Sequence, residues 1–113
     1  MDEAPPLSDA DTWLNRGPVR LDAVDRPVLL HIWRYADLQS RRSLAKIRQL
    51  WEQYDDQLQV VTVHSSRFSF EADPGNIEHV LDQEDVTFPV ALDPENTVRR
   101  RYGAVSRPYT AVI

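Results

Sequence analysis

The amino-acid sequence predicts an α/β layer sandwich, and three observations predict it. Two near-continuous apolar runs, at 28–33 and 58–64, carry enough β-branched residues to read as strands buried on both faces. A stretch of helical apolar spacing separates them, and the strand-then-helix order repeats toward residue 113. The length, 113 residues, suits one domain with a real core.

Residues 1–18 read as a polar lead-in broken by Pro5-Pro6 and Gly17-Pro18, with Trp13-Leu14 as an apolar anchor onto the domain. Val19, Leu21 and Ala23 alternate with Arg20 and Asp22, which predicts a short strand with one face buried. Val28-Leu29-Leu30-His31-Ile32-Trp33 is the first buried strand. From Asp37 to Tyr54 the residues Leu44, Ile47, Leu50, Trp51 and Tyr54 fall on one helical face, opposite Arg41, Arg42, Lys46, Arg48 and Glu52. Leu58 to His64 is the second buried strand, followed by a loop through Phe68 and Phe70. Asp73-Pro74 has the form of an N-cap and a first-turn proline, opening a helix to about Glu84 through Ile77, Val80 and Leu81. A short strand follows around Pro89-Val90-Ala91. Asp93-Pro94-Glu95-Asn96 repeats the cap pattern and opens a third helix that Gly103 ends near Tyr102. Tyr109 to Ile113 is the last strand. The order is β-β-α-β-α-β-α-β, with successive strands expected to pair in parallel through helical crossovers.

Composition narrows the function classes. At 42% hydrophobic and 27% charged, the chain is too apolar to be disordered. No apolar run approaches the roughly 20 residues of a membrane helix. The first six residues show neither a basic n-region nor an apolar h-region, and for the chain as given the cytoplasm is favoured. Eighteen acids against thirteen bases give a net charge of −5, which argues against nucleic acid as a partner. Most telling is the absence of cysteine, which removes every thiol reaction, disulfide and cysteine metal site from this chain.

Three segments resemble the thioredoxin-like superfamily. His31-Ile32-Trp33-Arg34-Tyr35-Ala36-Asp37-Leu38-Gln39-Ser40-Arg41 resembles its strand-to-helix turn, where a strand runs into a Cys-x-x-Cys helix. Val63-His64-Ser65-Ser66-Arg67-Phe68-Ser69-Phe70-Glu71 with Asn76-Ile77 resembles a stretch of one branch, which holds the TlpA-like domains of DipZ-type proteins and of NHL-repeat proteins. Phe88 to Asp93 and Arg101 to Pro108 continue the likeness, which spans about 13–113. The resemblance implies a three-layer sandwich around a central mixed sheet. It also implies a family ending, one further strand and helix, that would lie beyond Ile113. On that basis the chain is expected to be part of a longer protein, or to have its C-terminal edge covered by further domains or a second copy.

In the family the two cysteines stand where this chain has Asp37 and Ser40. A helix start lowers a thiol's pKa through unpaired N–H groups and the positive dipole end, and a second cysteine resolves the mixed disulfide. A carboxylate keeps that charge without the nucleophile. Asp37 is either a first-turn acid that starts the helix or an acid used in recognition. By the same resemblance Arg107-Pro108 is expected to be cis and to face the turn. Trp33, Tyr35, Ala36, Glu71, Arg107 and Pro108 would then line a groove, with Glu71 organising its loop.

The remaining constellations are weak. His31, His64 and His79 lack the spacing and the companion ligands of a metal site, so no metal and no cofactor is expected. Arg99-Arg100-Arg101 suits a helix C-terminus, and a docking patch for an anionic partner is the alternative. The functional expectation is a redox-inactive thioredoxin-like domain that binds a protein or an extended peptide. The competing expectation is a piece of a thiol-disulfide oxidoreductase or peroxidase-like protein whose reactive cysteines lie outside this chain.

Overall fold

The computed structural model describes residues 7, 10, 12–104 and 108–113. Five strands form one sheet: β1 (Thr12–Leu14), β2 (Val28–Trp33), β3 (Gln59–Ser65), β4 (Val90–Asp93) and β5 (Tyr109–Val112). Their order across the sheet is β1-β4-β3-β2-β5. The central pairs β2–β3 and β3–β4 are parallel, whereas the edge strands β1 and β5 run antiparallel to β4 and β2. The sheet is therefore mixed. Helices α1 (Leu38–Tyr54), α2 (Pro74–Gln83) and α3 (Thr97–Arg101) connect the strands.

Every residue of β2 is buried, because each face of the sheet has its own core. On one face Leu29 and Trp33 of β2 pack with Val60, Val90 and Leu92 against Leu44 and Ile47 of α1 and Ile77, Val80 and Leu81 of α2. On the other, Val28, Leu30 and Ile32 join Val61, Val63 and Ala91 beneath Val98 of α3 and the N-terminal segment. These are the three layers that the family resemblance implies, and the continuous apolar runs are the signature of a sheet covered on both faces.

Four expectations need correction. The alternating stretch 19–23 is not a strand: Leu21–Ala23 form a 3-10 turn, and Val19, Leu21 and Val24 pack on the second core. The first strand is instead Thr12–Leu14, within the segment read as a lead-in, which pairs with the free edge of β4. Asn15 ends it, with φ +67 and its side-chain amide donating to Val86 O and Phe88 O at 3.0 Å each. At Gly17 (φ +124) the Trp13 ring occupies the space a Cβ would need, 2.6 Å away. That turn carries the chain off the sheet before residue 19. Third, β4 and β5 are not neighbours, because the chain crosses to the far edge and β5 pairs antiparallel with β2.

The fourth correction concerns the two Asp-Pro sequences, which are not equivalent. Asp73 caps α2 directly, its Oδ1 accepting from Gly75 N at 2.9 Å with Pro74 in the first turn. At the second site the N-cap is Asn96, in the left-handed region. Asp93 reaches forward from the end of β4 to accept from Val98 N (3.1 Å) and Arg99 N (3.0 Å). A buried carboxylate thus satisfies two first-turn amides from three residues before the cap.

Candidate functional site

The parallel strands β2 and β3 end side by side, with Trp33 opposite His64. Loops at the C-terminal ends of parallel strands are where α/β folds place their chemistry. The β2–α1 turn leaves from Trp33 and the β3–α2 loop from Ser65, so residues 34–40 and 66–72 share one end of the sheet.

His64 forms the floor between them. The Tyr35 amide donates to His64 Nε2 at 3.1 Å, which leaves the neutral ring's proton on Nδ1. Tyr35 stacks on the imidazole at 5.5 Å between centroids, and Trp33 meets it edge-on at 4.8 Å. Burial, with the nearby Glu71 carboxylate, pushes the Tyr35 phenol above its ordinary pKa, and its hydroxyl donates to Phe70 O at 3.2 Å.

Glu71 joins the loop to the turn. It is wholly buried in the 3-10 turn Ser69–Ala72, and its Oε1 accepts from Arg34 Nη1 (2.8 Å), Phe68 N (3.0 Å) and Arg67 N (3.2 Å). One carboxylate therefore fixes two backbone amides of its own loop and the guanidinium of the neighbouring turn. A charge buried this deeply is tolerable only with such partners.

Asp37 stands at the N-cap of α1 with extended backbone, and its carbonyl accepts the first helical bond, from Arg41 N at 3.0 Å. Its carboxylate makes no capping bond to the backbone. Oδ2 instead accepts from Ser40 Oγ at 3.1 Å, so the two residues that the resemblance sets at the cysteine positions bridge one another non-covalently. Ser40 is fully buried, whereas Asp37 is half-buried and Ala36 exposed.

Pro108 precedes β5, whose Tyr109 pairs with Ile32. Continuing that register by one residue sets Pro108 beside Trp33, at the same end of the sheet as the turn. Arg107, and with it the expected cis Arg107–Pro108 bond, lies outside the described residues. Trp33, Tyr35 and Glu71 are thus gathered around His64 and Arg34, with Ala36, Asp37 and Ser40 next along the turn. A cleft of about 260 Å³ opens elsewhere, between Thr12, Leu92, Pro94 and Pro74. None of Trp33, Tyr35, Asp37, Ser40 or Pro108 lines it.

Sequence reasoning missed two features of this end. Arg34 gave a signal, a charge between aromatic neighbours just past a fully buried strand, which demands a partner. The other is a polar line beneath α1 that runs from exposed Thr110 through buried His31 to Ser43 and buried Ser40. His31 Nδ1 meets Thr110 Oγ1 and Nε2 meets Ser43 Oγ, each at 2.8 Å, while Ser43 donates its proton to Ser40 O at 2.6 Å. The neutral ring therefore donates from Nε2 and accepts at Nδ1. Burial pushes its pKa down to about 4. Among the described residues no cluster of three or more His, Cys, Asp or Glu side chains is placed to hold a metal ion.

No family model matches the chain. Among curated proteins it is similar to the thiol-disulfide oxidoreductase YkuV of Bacillus subtilis, 28% identical over 95 residues that make up 83% of this chain and 64% of that protein. It is also similar to protein DipZ of Mycobacterium bovis, 30% identical over 95 residues, 80% of this chain and 14% of that protein. The chain thus spans under two thirds of the first relative and a small part of the second. Among solved structures, a thioredoxin-like protein in the oxidised form superimposes with a TM-score of 0.83 at 26% identity, covering 91% of this chain and 70% of that one. Among the described residues no helix is long and apolar enough to cross a membrane. The expectation of a cytoplasmic location finds no support in these comparisons and is not carried further.

Proposed function

We propose that this chain, thioredoxin-like in fold and related in sequence to thiol-disulfide oxidoreductases, is a redox-inactive binding or scaffolding module. The observation that carries the proposal is the Asp37–Ser40 bridge at the start of α1. Disulfide exchange needs a thiolate that attacks sulfur and a second thiol that resolves the mixed disulfide. A carboxylate cannot form the first bond, and a serine hydroxyl cannot break it. A helix start tolerates negative charge, so a carboxylate there keeps the sign of a thiolate's charge without its reactivity.

On this proposal the turn and its neighbours, Trp33, Tyr35, Ala36, Glu71 and Pro108, line a groove for a protein partner or an extended peptide. The domain would work within a larger protein, of DipZ type or with a repeat propeller, or beside a second copy. Dithiothreitol-driven insulin reduction tests it. The chain should leave the rate at that of dithiothreitol alone, and turnover above that rate would contradict the proposal. The second reading, an oxidoreductase whose cysteines lie outside this chain, draws on the name of the Bacillus subtilis relative and on the third of that relative left uncovered. A longer protein that carries a cysteine pair and reduces insulin would favour it.

A further inference from the structure

Two phenylalanines of the β3–α2 loop stand in water. Phe68 is 47% and Phe70 55% exposed, and their rings stack at 5.7 Å between centroids with planes 8° apart. The loop that presents them is pinned on both sides. Glu71 holds the amides of Arg67 and Phe68. Tyr35 Oη and Asn76 Nδ2 both donate to Phe70 O at 3.2 Å. A surface ordered in advance loses little entropy when a partner settles on it, and two half-exposed rings held this way offer that partner apolar area.

Charge selects the partner. The guanidiniums of Arg67 and Arg34 lie 5.2 and 5.7 Å from the Phe68 ring centroid. Arg34 is neutralised by buried Glu71, while Arg67 has no ion-pair partner among the described residues. The Phe68 side of this pair is therefore cationic in a chain of net charge −5, while the exposed Asp73 carboxylate stands near Tyr35 on the Phe70 side. A second copy related by a two-fold axis through Phe70 would set Arg67 against its own counterpart, like charge on like. The overall negative charge disfavours nucleic acid. We infer that Phe68, Phe70 and Arg67 form a docking platform for an acidic peptide segment. A large apolar side chain of that segment lies against the exposed part of Phe70, and a neighbouring carboxylate meets Arg67. The inference rests on the binding-module proposal and places recognition on the loop beside Tyr35 rather than at Asp37.

The probe is a fluorescein-labelled decapeptide with a Leu-Phe core flanked by Asp and Glu. Its counterparts carry Lys for the acids, or Ser for the core. Fluorescence anisotropy should show the acidic, apolar peptide binding at least about tenfold more tightly than either. Phe70→Ser should abolish the preference with the circular dichroism unchanged, and Arg67→Glu should invert it between the acidic and basic peptides. Equal affinities, indifference to both substitutions, or tighter binding of a labelled oligothymidylate would overturn the platform. So would a mass that doubles with concentration and is restored to one copy by Phe70→Ser. An insulin-inert chain without peptide preference defeats the platform alone. A chain that reduces insulin yet prefers the acidic peptide defeats only the redox-inactive proposal.

Discussion

Replacing Glu71 by glutamine removes one charge and almost no volume, and so isolates what holds the β2–α1 turn to the β3–α2 loop. In the folded chain the carboxylate is fully buried and Arg34 only 15% exposed, with their atoms 2.8 Å apart. Breaking a buried pair from one side costs about 3–5 kcal/mol, because the remaining charge loses its partner. Glutamine's own oxygen can still accept from the amides of Arg67 and Phe68, and Arg34 retains some contact with water. The expected loss is therefore near the lower bound, about 3 kcal/mol. In urea, with a slope of about 1–3 kcal/mol per molar, the midpoint should fall by roughly 1–3 M at unchanged slope. A double-mutant cycle with Arg34→Met separates the pair from the amide bonds and should return a coupling of about 1.5 kcal/mol or more. A loss below about 1 kcal/mol, or a coupling within about 0.5 kcal/mol of zero, would refute the argument that this ion pair fastens the two loops.

Other perturbations address the rest of the structure. His31 binds a proton more weakly folded, at about 4, than at its ordinary 6.5. Between those values the unfolded chain takes up the proton first, so stability is full above pH 6.5 and falls as the pH drops toward 4, by about 3 kcal/mol at most. Urea midpoints at several pH values, compared with His31→Asn, should show that dependence flattened in the variant; parallel curves would remove His31 as its cause. Gly17→Ala meets the Trp13 ring at 2.6 Å and a φ of +124, so it should cost roughly 2 kcal/mol and alter tryptophan fluorescence. Gly103→Ala, with φ +66 and open space around it, should cost only about 1 kcal/mol and leave that fluorescence unchanged. Equal losses at the two glycines would discredit the crowding at Trp13.

The elements readable in the sequence are those whose burial is decided locally. β2 and β3 are mostly apolar because both faces of the central sheet are covered, and α1 and α2 show apolar stripes because both lie on one of those faces. Asp73 announced its helix because cap and proline act within three residues. β1 was missed because Thr12–Leu14 is a strand only by virtue of β4, almost eighty residues away. The alternation at 19–23 misled because no strand edge is there to pair with it. The same division holds at the candidate site. Asp37, Ser40 and Glu71 were singled out by resemblance to a motif. The Arg34–Glu71 ion pair and the packing of Trp33 and Tyr35 on His64 follow from the parallel register of β2 and β3, which no local pattern encodes. Phe68 and Phe70 read in the sequence only as loop residues of the resembling stretch, because the bonds that pin Phe70 O come from Tyr35 and Asn76, outside the 3-10 turn.

The redox-inactive proposal rests on two side chains, Asp37 and Ser40, which stand where the family resemblance implies cysteines. Asp37→Cys and Ser40→Cys together test it most directly, because they put two thiols at the helix start in place of the Asp37–Ser40 bridge. With dithiothreitol as the reductant, the double variant should accelerate insulin reduction while the parent chain and each single variant stay far below it. A folded double variant no faster than the parent would contradict the claim, and so would a parent chain that already reduces insulin.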